Sequence, residues 1–364
     1  MERVLDLPLS ERLLGEADVA GVVLDEEDVR RVGRAVRVTH YVVLTAGRPL
    51  NVERCNGAPH FVGCDAAGAP DHYALTGLCV PMSIARHGAG PRAALAALGS
   101  QVHPVFMLPP IAASLFGAIL AGGFDSLPGT LHAVAIFAAV YTAHVKDGYV
   151  DFYGRGEDDD HPLTAAGCRY ALAGSTTLFA VCTAALWLVV DAGAALVTVP
   201  CWLIAYHHAP QLDTNPVTAT SGYPAGVALS IIGGYYAQTG ALAARPVAFA
   251  VVFLALLSGV KVIDDAQDYD YDRSIRKRTV AVAVGPDRAW AVAYGLMLSA
   301  LALVVGLAVL GPFPTGSALA AIAFAAVAAI ARRADPEIAT MLLIRGSYVF
   351  LAVLVAAVWW QPLG

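Results

Sequence analysis

The sequence predicts an all-α membrane protein, a polytopic bundle of about nine transmembrane helices that follows a polar amino-terminal extension. The first observation is the composition: 57% of the 364 residues are hydrophobic and only 14% are charged, whereas soluble domains usually contain about a quarter charged residues. The second is that the apolar residues form long segments, each near the ~20 residues that a helix needs to cross a bilayer. Because backbone polar groups in lipid must be satisfied within the segment, we expect helices.

The polar extension covers residues 1–100 and precedes a transmembrane domain at residues 101–364. Within the extension, residues 25–36 have helical periodicity and residues 37–47 have a strand-like pattern. The chain begins without a basic segment followed by an apolar one, so we expect no signal peptide. No stripe of basic residues indicates nucleic acid as a partner.

Nine apolar segments follow the extension. They run approximately over residues 103–122, 127–145, 166–187, 189–206, 223–240, 246–263, 288–309, 315–331 and 338–360. If the amino terminus is cytoplasmic, most basic residues of this domain fall in loops on the cytoplasmic side, and the opposite loops hold little more than Arg245. The positive-inside rule therefore predicts an integral membrane protein in this orientation.

Two acidic clusters directly follow apolar segments on that same side. Residues 147–160 (DGYVDFYGRGEDDD) follow the second segment, and residues 264–273 (DDAQDYDYDR) follow the sixth. Carboxylates are costly in or beside hydrocarbon and are functional candidates there. Two clusters on one face predict a shared site between helices, and its natural occupant is a hard cation with an anionic ligand.

The second cluster has helical spacing. Asp265, Asp268 and Asp272 are separated by three and four residues, so they share one face if the sixth helix continues through them. The alternative explanation of this cluster is that its acids form ion pairs with Lys261 and Arg276, which would serve the structure alone.

The first cluster is interrupted by glycines. Asp147 and Asp151 are four residues apart and share a helical face. The Gly-Arg-Gly sequence at residues 154–156 is expected to end the helix before Glu157 and Asp158. The two acids that close the cluster are expected to form a solvated loop outside any site.

The chemistry that needs such clusters is the binding of a diphosphate through Mg²⁺. Mg²⁺ is usually held by one or two carboxylates together with substrate phosphates, and bound metal ions neutralise a diphosphate leaving group. Arg155 lies within the first cluster, and Arg273, Lys277 and Arg278 follow the second, where the phosphates would lie. Arg345, in the last segment, either reaches the cytoplasmic interface or faces the cavity. An allylic diphosphate with a lipidic tail between apolar helices satisfies both requirements.

Residues 265–279 (DAQDYDYDRSIRKRT) resemble the second aspartate motif of the UbiA-type membrane prenyltransferase superfamily, and residues 147–158 resemble the first. The resemblance covers roughly residues 100–364. It implies a nine-helix bundle whose cavity opens to the cytoplasm and to lipid. It also implies Mg²⁺-dependent ionisation of a polyprenyl diphosphate and transfer of the prenyl group to a lipophilic acceptor, often an aromatic quinone precursor.

The residues and the resemblance together give an expected site. The expected catalytic carboxylates are Asp147, Asp151, Asp265, Asp268 and Asp272. The expected metal ligands are these five together with Glu157 and Asp158. The expected diphosphate-binding residues are Arg155, Arg273, Lys277, Arg278 and Arg345.

The sequence departs from the motifs at points that bear on function. Gly148 stands where the first motif usually has an Asp, and Asp147 could supply that carboxylate. Pro210 stands where some members have a Lys, and His207 or His208 could take its place. These departures leave room for a terpene cyclase on the same scaffold. From a different functional class, a cation transporter whose pathway the acids line is the further alternative.

Overall fold

The described part of the chain is helical. A computed structural model describes residues 83–275 and 277–360. These residues form helices and one isolated β-bridge, and they contain no extended strand. The chain divides into two compact units, residues 1–76 and 77–364, and all described residues belong to the second. The helix expected at residues 25–36 and the strand expected at 37–47 lie outside the described residues. The assignment of residues 1–100 to an extension stays a prediction.

Each of the nine apolar segments coincides with a helix, which confirms the all-α prediction. The helices are α1 (Pro91–Gly99), α2 (Pro104–Ile119), α3 (Ser126–Tyr149), α4 (Ala165–Val189), α5 (Ala192–His207), α6 (Pro216–Thr239), α7 (Ala244–Gln267), α8 (Tyr269–Ser274), α9 (Val280–Val284), α10 (Pro286–Leu310), α11 (Ser317–Ala331) and α12 (Pro336–Trp360). A π-helical turn, Val150–Arg155, continues α3, and a 3₁₀ turn, Leu212–Thr214, precedes α6.

Fewer than nine of the described helices are long and apolar enough to cross a membrane. Among the described helices, α3 with its π-helical turn, α4, α7, α10 and α12 are long and apolar enough to cross a membrane. The pair α1 and α2, bent by 68°, makes a sixth if it counts as one span, and α5 and α11 are shorter apolar helices. The fold is therefore an all-α membrane bundle, and the predicted count of nine spans is not confirmed.

Polar residues between the apolar segments begin several of these helices. An N-cap side chain that accepts a hydrogen bond from a backbone N–H of the first turn satisfies one of the donors that a helix start leaves free. Asp125, Thr164, Asp191 and Asn215 do this for α3, α4, α5 and α6. The caps fix where α3 begins and therefore which face its acidic end presents.

Aromatic packing holds α7 in the centre of the bundle. Phe249 of α7 meets Phe116 of α2 edge-on with ring centroids 5.1 Å apart, and Phe253 meets Phe350 of α12 at 5.4 Å. All four rings are almost fully buried, and such pairs contribute about 0.5–1.5 kcal/mol each beyond the burial of their area. The acidic cluster at the end of α7 is thus carried by a well-packed helix.

Residues 83–87 attach to the loop that follows the first acidic cluster. The backbone N–H of Arg86 donates to the carbonyl oxygen of Pro162 at 2.9 Å, and that of Thr164 donates to Ile84 at 2.9 Å. The guanidinium carbon of Arg86 lies 4.3 Å from the ring centroid of Phe152, within cation–π range. The segment before α1 is therefore joined to the loop beside the first acidic cluster.

Helices α2 and α6 approach each other closely at two glycines. A Cβ atom at Gly117 would overlap the carbonyl oxygen of Ile231, and one at Gly234 would overlap the carbonyl oxygen of Ser114. Small residues allow backbones to approach in this way in membrane bundles. Gly117 and Gly234 therefore set the spacing of α2 and α6.

We expect Gly117→Ala to lower the free energy of unfolding by about 1–3 kcal/mol, the usual cost of adding a methylene to a packed interface. The matched control is Gly295→Ala on α10, where an added Cβ has nothing within 4 Å. Thermal unfolding of both variants in the same detergent is the measurement. Equal stability of the two variants would contradict the proposed close contact.

Candidate functional site

One cavity of about 760 Å³ brings the two acidic clusters together. Its deep part is lined by apolar side chains such as Ile136, Ala139 and Leu257. Its other part is polar. The charged residues that line it are Asp147, Asp151, Asp158 and Asp160 from the first cluster, Lys261, and Asp264 from the second. The cavity thus combines an apolar chamber with an acidic end.

Helix α3 supplies one wall of the cavity as a regular stripe. Its lining residues are Ile136, Ala139, Val140, Ala143, His144, Asp147 and Gly148, and Asp151 continues the stripe into the π-helical turn. Steps of three and four residues keep these positions on one face, so the prediction that Asp147 and Asp151 share a face is confirmed. The turn ends at Gly156, whose φ of 68° lies in the left-handed region, as the glycines predict.

Arg155 lies among three carboxylates. Its guanidinium is 3.4 Å from Asp151 and 3.5 Å from Glu157, and it donates a short hydrogen bond to Asp213. Its side chain is 21% exposed, so these pairs are only partly screened by solvent. In this structure, Arg155 holds together acids that would otherwise repel one another.

Asp213 is a residue that the sequence motifs do not indicate. It lies on the 3₁₀ turn before α6 and is 6% exposed. Besides pairing with Arg155, it accepts a hydrogen bond on its backbone oxygen from the N–H of Arg278 at 3.1 Å. It therefore connects the first cluster to the basic segment after the second. The sequence could have indicated Asp213 only through the predicted topology, because the positive-inside pattern puts its loop on the same membrane face as both acidic clusters.

In the second cluster, Lys261 pairs with two acids. Its Nζ lies 2.8 Å from Asp264 and 2.7 Å from Asp265. Asp265 is 2% exposed, and Thr220 donates to its second oxygen at 3.5 Å. The ion pair that the sequence offers as an alternative explanation is therefore present, and it belongs to the wall of the cavity.

The structure corrects the expectation that Asp265, Asp268 and Asp272 share one helical face. Helix α7 ends at Gln267, and Asp268 has φ −91° and ψ 16°, outside helical geometry. Helix α8 then begins at Tyr269. Asp265 and Asp272 are consequently buried, whereas Asp268 is exposed and lies beside Trp290 in a separate surface depression.

Asp272 and His208 link the second cluster to the rest of the site. Burial raises the pKa of Asp272, and Lys277, 3.6 Å away, opposes this rise. Burial lowers the pKa of His208, and among the charges that act on its ring, Asp147 raises that pKa and Lys261 lowers it. His208 therefore lies within electrostatic reach of both clusters.

The remaining basic residues of the expected site are placed unequally. Lys277 is partly buried beside Asp272. Arg273, Arg278 and Arg345 are exposed, and none of the three lines the cavity. His207 is likewise exposed and outside the cavity, so of the two histidines named for this loop only His208 reaches it.

The acids fit a divalent cation that is bound together with phosphate. Three carboxylate oxygens, Glu157 Oε1, Asp213 Oδ1 and Asp272 Oδ2, are buried and accept no hydrogen bond from the described residues. The guanidinium of Arg155 lies 3.5 Å from Glu157 Oε1, and the other two oxygens are costly to bury unless a cation approaches. Within residues 83–275 and 277–360, no three Asp, Glu, His or Cys side chains are arranged so that they could hold a metal ion by themselves. Mg²⁺ usually completes its octahedron with phosphate and water, so an incomplete protein shell suits it.

His161 occupies the space next to Gly148. A Cβ atom at Gly148 would lie 2.8 Å from Cε1 and 3.3 Å from Nδ1 of the His161 ring. The ring is held from its other side, with Nε2 3.4 Å from the sulfur of Cys168. An imidazole from the loop after the first cluster thus fills the place where the motif usually has an Asp side chain.

Solved structures share this fold, although no protein-family model and no curated protein matches the sequence. A digeranylgeranylglyceryl phosphate synthase superposes with a TM-score of 0.58 and 15% identity, over 74% of this chain and 98% of the other. A UbiA homologue from Aeropyrum pernix K1 superposes with a TM-score of 0.55 and 18% identity, over 70% of this chain and 97% of the other. A UbiA homologue from Archaeoglobus fulgidus, bound to GPP and Mg²⁺, superposes with a TM-score of 0.56 and 16% identity, over 73% of this chain and 99% of the other.

We expect Gly148→Ala to destabilise the protein by about 1–3 kcal/mol, because the new methyl group collides with a ring that has little room to move. In a His161→Ala background the same change should cost much less. Gly154→Ala is the control, since its Cβ would meet only Val150 at 3.8 Å. Thermal unfolding of wild type, Gly148→Ala, His161→Ala, the double variant and Gly154→Ala tests this. A Gly148→Ala variant as stable as Gly154→Ala would rule out the collision with the His161 ring.

Proposed function

The chain has the fold of the UbiA-type membrane prenyltransferases, and on this basis we propose that it transfers a prenyl group from an allylic polyprenyl diphosphate to a lipophilic acceptor, with Mg²⁺ as cofactor. The observation that carries the proposal is the cavity itself, which has two acidic clusters at one end and an apolar chamber beyond them. The A. fulgidus protein with GPP and Mg²⁺ supports the same pairing of ligands. An aromatic or quinone-precursor acceptor is the expected class.

We assign metal binding to the acids that surround the polar end of the cavity. Asp147, Asp151 and Asp158 line the cavity itself. Glu157, Asp265 and Asp272 do not line it, and they pair with Arg155, Lys261 and Lys277 of the same clusters. Mg²⁺ held there would neutralise the diphosphate and lower the barrier to breaking the allylic C–O bond. We do not extend this role to Asp268, because it is exposed beside Trp290, whereas Asp265 and Asp272 are each 2% exposed.

Arg155 and Lys277 are the basic residues best placed to bind the diphosphate. Both are partly buried and already lie beside the acids that would hold the metal. A phosphate that enters with its cations would give each of them an additional anionic partner. Arg345 is exposed on α12, and we assign it to the headgroup region, where an Arg near a helix end can extend to the interface.

The reaction balances without further reactants. The allylic C–O bond breaks and the diphosphate leaves with the electron pair, while a carbon or oxygen of the acceptor supplies the pair for the new bond and releases one proton. The apolar chamber would keep water from the allylic cation. By the positive-inside pattern, we propose that the acidic end of the cavity faces the cytoplasm.

An assay with purified protein tests the function. With allylic diphosphates of several lengths and a panel of acceptors, we expect diphosphate release and prenylated product that stop when EDTA removes the metal and return with Mg²⁺. Release of a cyclic hydrocarbon without an acceptor would favour a terpene cyclase instead. Metal-dependent ion flux in proteoliposomes, lost in Asp265→Ala and without diphosphate chemistry, would favour a cation transporter.

We expect Asp151→Asn and Asp265→Asn each to lower turnover by at least ~10²-fold, the scale of losing one electrostatic contributor to the transition state. Asp268→Asn should lower turnover far less, because Asp268 is exposed, whereas Asp265 is buried and pairs with Lys261 of the cavity wall. Asp159→Asn, an exposed acid of the first cluster, is the control. Initial rates at saturating substrate and Mg²⁺ make the comparison, and equal losses at Asp265 and Asp268 would disprove the distinction between them.

A further inference from the structure

We propose that Arg155 and a divalent cation compete for the same carboxylates, and that a diphosphate relieves this competition by giving the guanidinium another anionic partner. The cation would then bind tightly only together with the diphosphate. The inference rests on the proposed function and deepens it, because it assigns to Arg155 the role of coupling the two ligands at one site.

The guanidinium of Arg155 directs each of its three nitrogens at a different carboxylate. Its Nη1 lies 3.4 Å from Asp151, its Nε lies 3.5 Å from Glu157, and its Nη2 donates a hydrogen bond to Asp213. These acids come from the π-helical turn after α3, the loop that follows that turn, and the 3₁₀ turn before α6. Anionic oxygens from three segments of the chain therefore converge on one guanidinium.

Backbone hydrogen bonds hold these acids in place without Arg155. The N–H of Glu157 donates to the carbonyl oxygen of Asp151 at 2.8 Å, and the N–H of Arg278 donates to that of Asp213 at 3.1 Å. Removal of the guanidinium would therefore leave the carboxylates close together and without their positive partner. Such a group attracts a cation, because like charges repel strongly where the dielectric is low.

The carboxylate of Asp213 shows that the guanidinium does not satisfy all of these oxygens. Its side chain is 8% exposed, and its Oδ1 is buried and accepts no hydrogen bond from the described residues. Within residues 147–160, Arg155 is the only Lys or Arg. A buried carboxylate oxygen without a partner is costly, so this one favours the approach of a second positive charge.

A divalent cation at these acids would lie close to the guanidinium. Mg²⁺ binds carboxylate oxygens at about 2.0–2.1 Å, and the guanidinium lies 3.4 Å from Asp151 and 3.5 Å from Glu157. Two positive groups that share these oxygens repel each other where water is partly excluded. A phosphate between them relieves the repulsion, because its oxygens bind Mg²⁺ and accept paired hydrogen bonds from a guanidinium.

The contacts of Arg155 allow it to turn towards such a phosphate. Its contacts with Asp151 and Glu157 are long for hydrogen bonds, which usually measure about 2.7–3.2 Å. Only the hydrogen bond to Asp213 is short. The guanidinium can therefore release the first two acids to a cation at small cost and keep its bond to Asp213.

Two titrations of the full-length protein in detergent test the competition. Titration with Mn²⁺ alone, followed by the loss of the electron paramagnetic resonance signal of the free ion, measures cation affinity without any substrate. Calorimetric titration with inorganic pyrophosphate in excess Mg²⁺ measures affinity for the cation–diphosphate complex. The proteins are wild type, Arg155→Gln, Arg155→Lys and the control Arg169→Gln, which removes an exposed arginine near the start of α4.

We expect Arg155→Gln to bind Mn²⁺ alone roughly tenfold more tightly than wild type, because the competing charge is gone. The same variant should bind the Mg²⁺–pyrophosphate complex roughly tenfold more weakly, because the phosphates lose a guanidinium partner. A residue that only holds the acids in position would change both affinities in the same direction. Arg155→Lys keeps the charge and should bind Mn²⁺ alone within about threefold of wild type, and Arg169→Gln should behave as wild type in both titrations.

Weaker or unchanged Mn²⁺ binding by Arg155→Gln would overturn the inference. If that variant does not fold, Arg155→Lys decides, because an ammonium group cannot contact three carboxylates in the manner of a guanidinium. A loss of Mn²⁺ affinity in Arg155→Lys would then overturn the inference, and an affinity near that of wild type would support it. Failure of the proposed function gives a different result, namely no binding of the Mg²⁺–pyrophosphate complex by wild type, and the Mn²⁺ titrations still decide the competition.

Discussion

Carboxylates gathered at the edge of a hydrocarbon region repel one another, and the whole site depends on how that repulsion is contained. Asp151, Glu157 and Asp213 surround the single guanidinium of Arg155, and Asp264 and Asp265 share Lys261. In surroundings of low dielectric, each unpaired charge would cost far more than in water. The two cations are therefore structural requirements of the free protein. They also leave the site rich in anionic oxygen, since three buried carboxylate oxygens accept no hydrogen bond from described residues.

The fold produces this arrangement of charges because the acidic ends of two helices and one turn meet in the same region. The acidic end of α3, the 3₁₀ turn before α6 and the acidic end of α7 come from separate parts of the chain, and Arg155, Asp213 and Arg278 connect them. Close packing fixes the approach, with glycines between α2 and α6 and aromatic rings around α7. Packing is equally close inside the site, where the absence of a side chain at Gly148 leaves room for the ring of His161.

The sequence predicts the features that depend on local pattern and not those that depend on tertiary partners. Apolar length predicts the helices, and spacing predicts that Asp147 and Asp151 share a face, because both follow from helical periodicity. Asp268 departs from its expected face because α7 ends one residue earlier, which no spacing rule encodes. Asp213 enters the site through contacts between distant segments. The predicted nine spans are not confirmed, since α5 and α11 are shorter than the ~20 residues that a bilayer requires.

The division of the cavity into an acidic end and an apolar chamber restricts what can occupy it. A free metal ion would use only the acidic end, and a hydrocarbon would use only the chamber. A soluble anion would meet the carboxylates with Lys261 already engaged. A molecule that carries its own cations on an anionic head and ends in a hydrocarbon chain matches both regions at once, because the cations relieve the repulsion among the acids and the chain fills the apolar chamber.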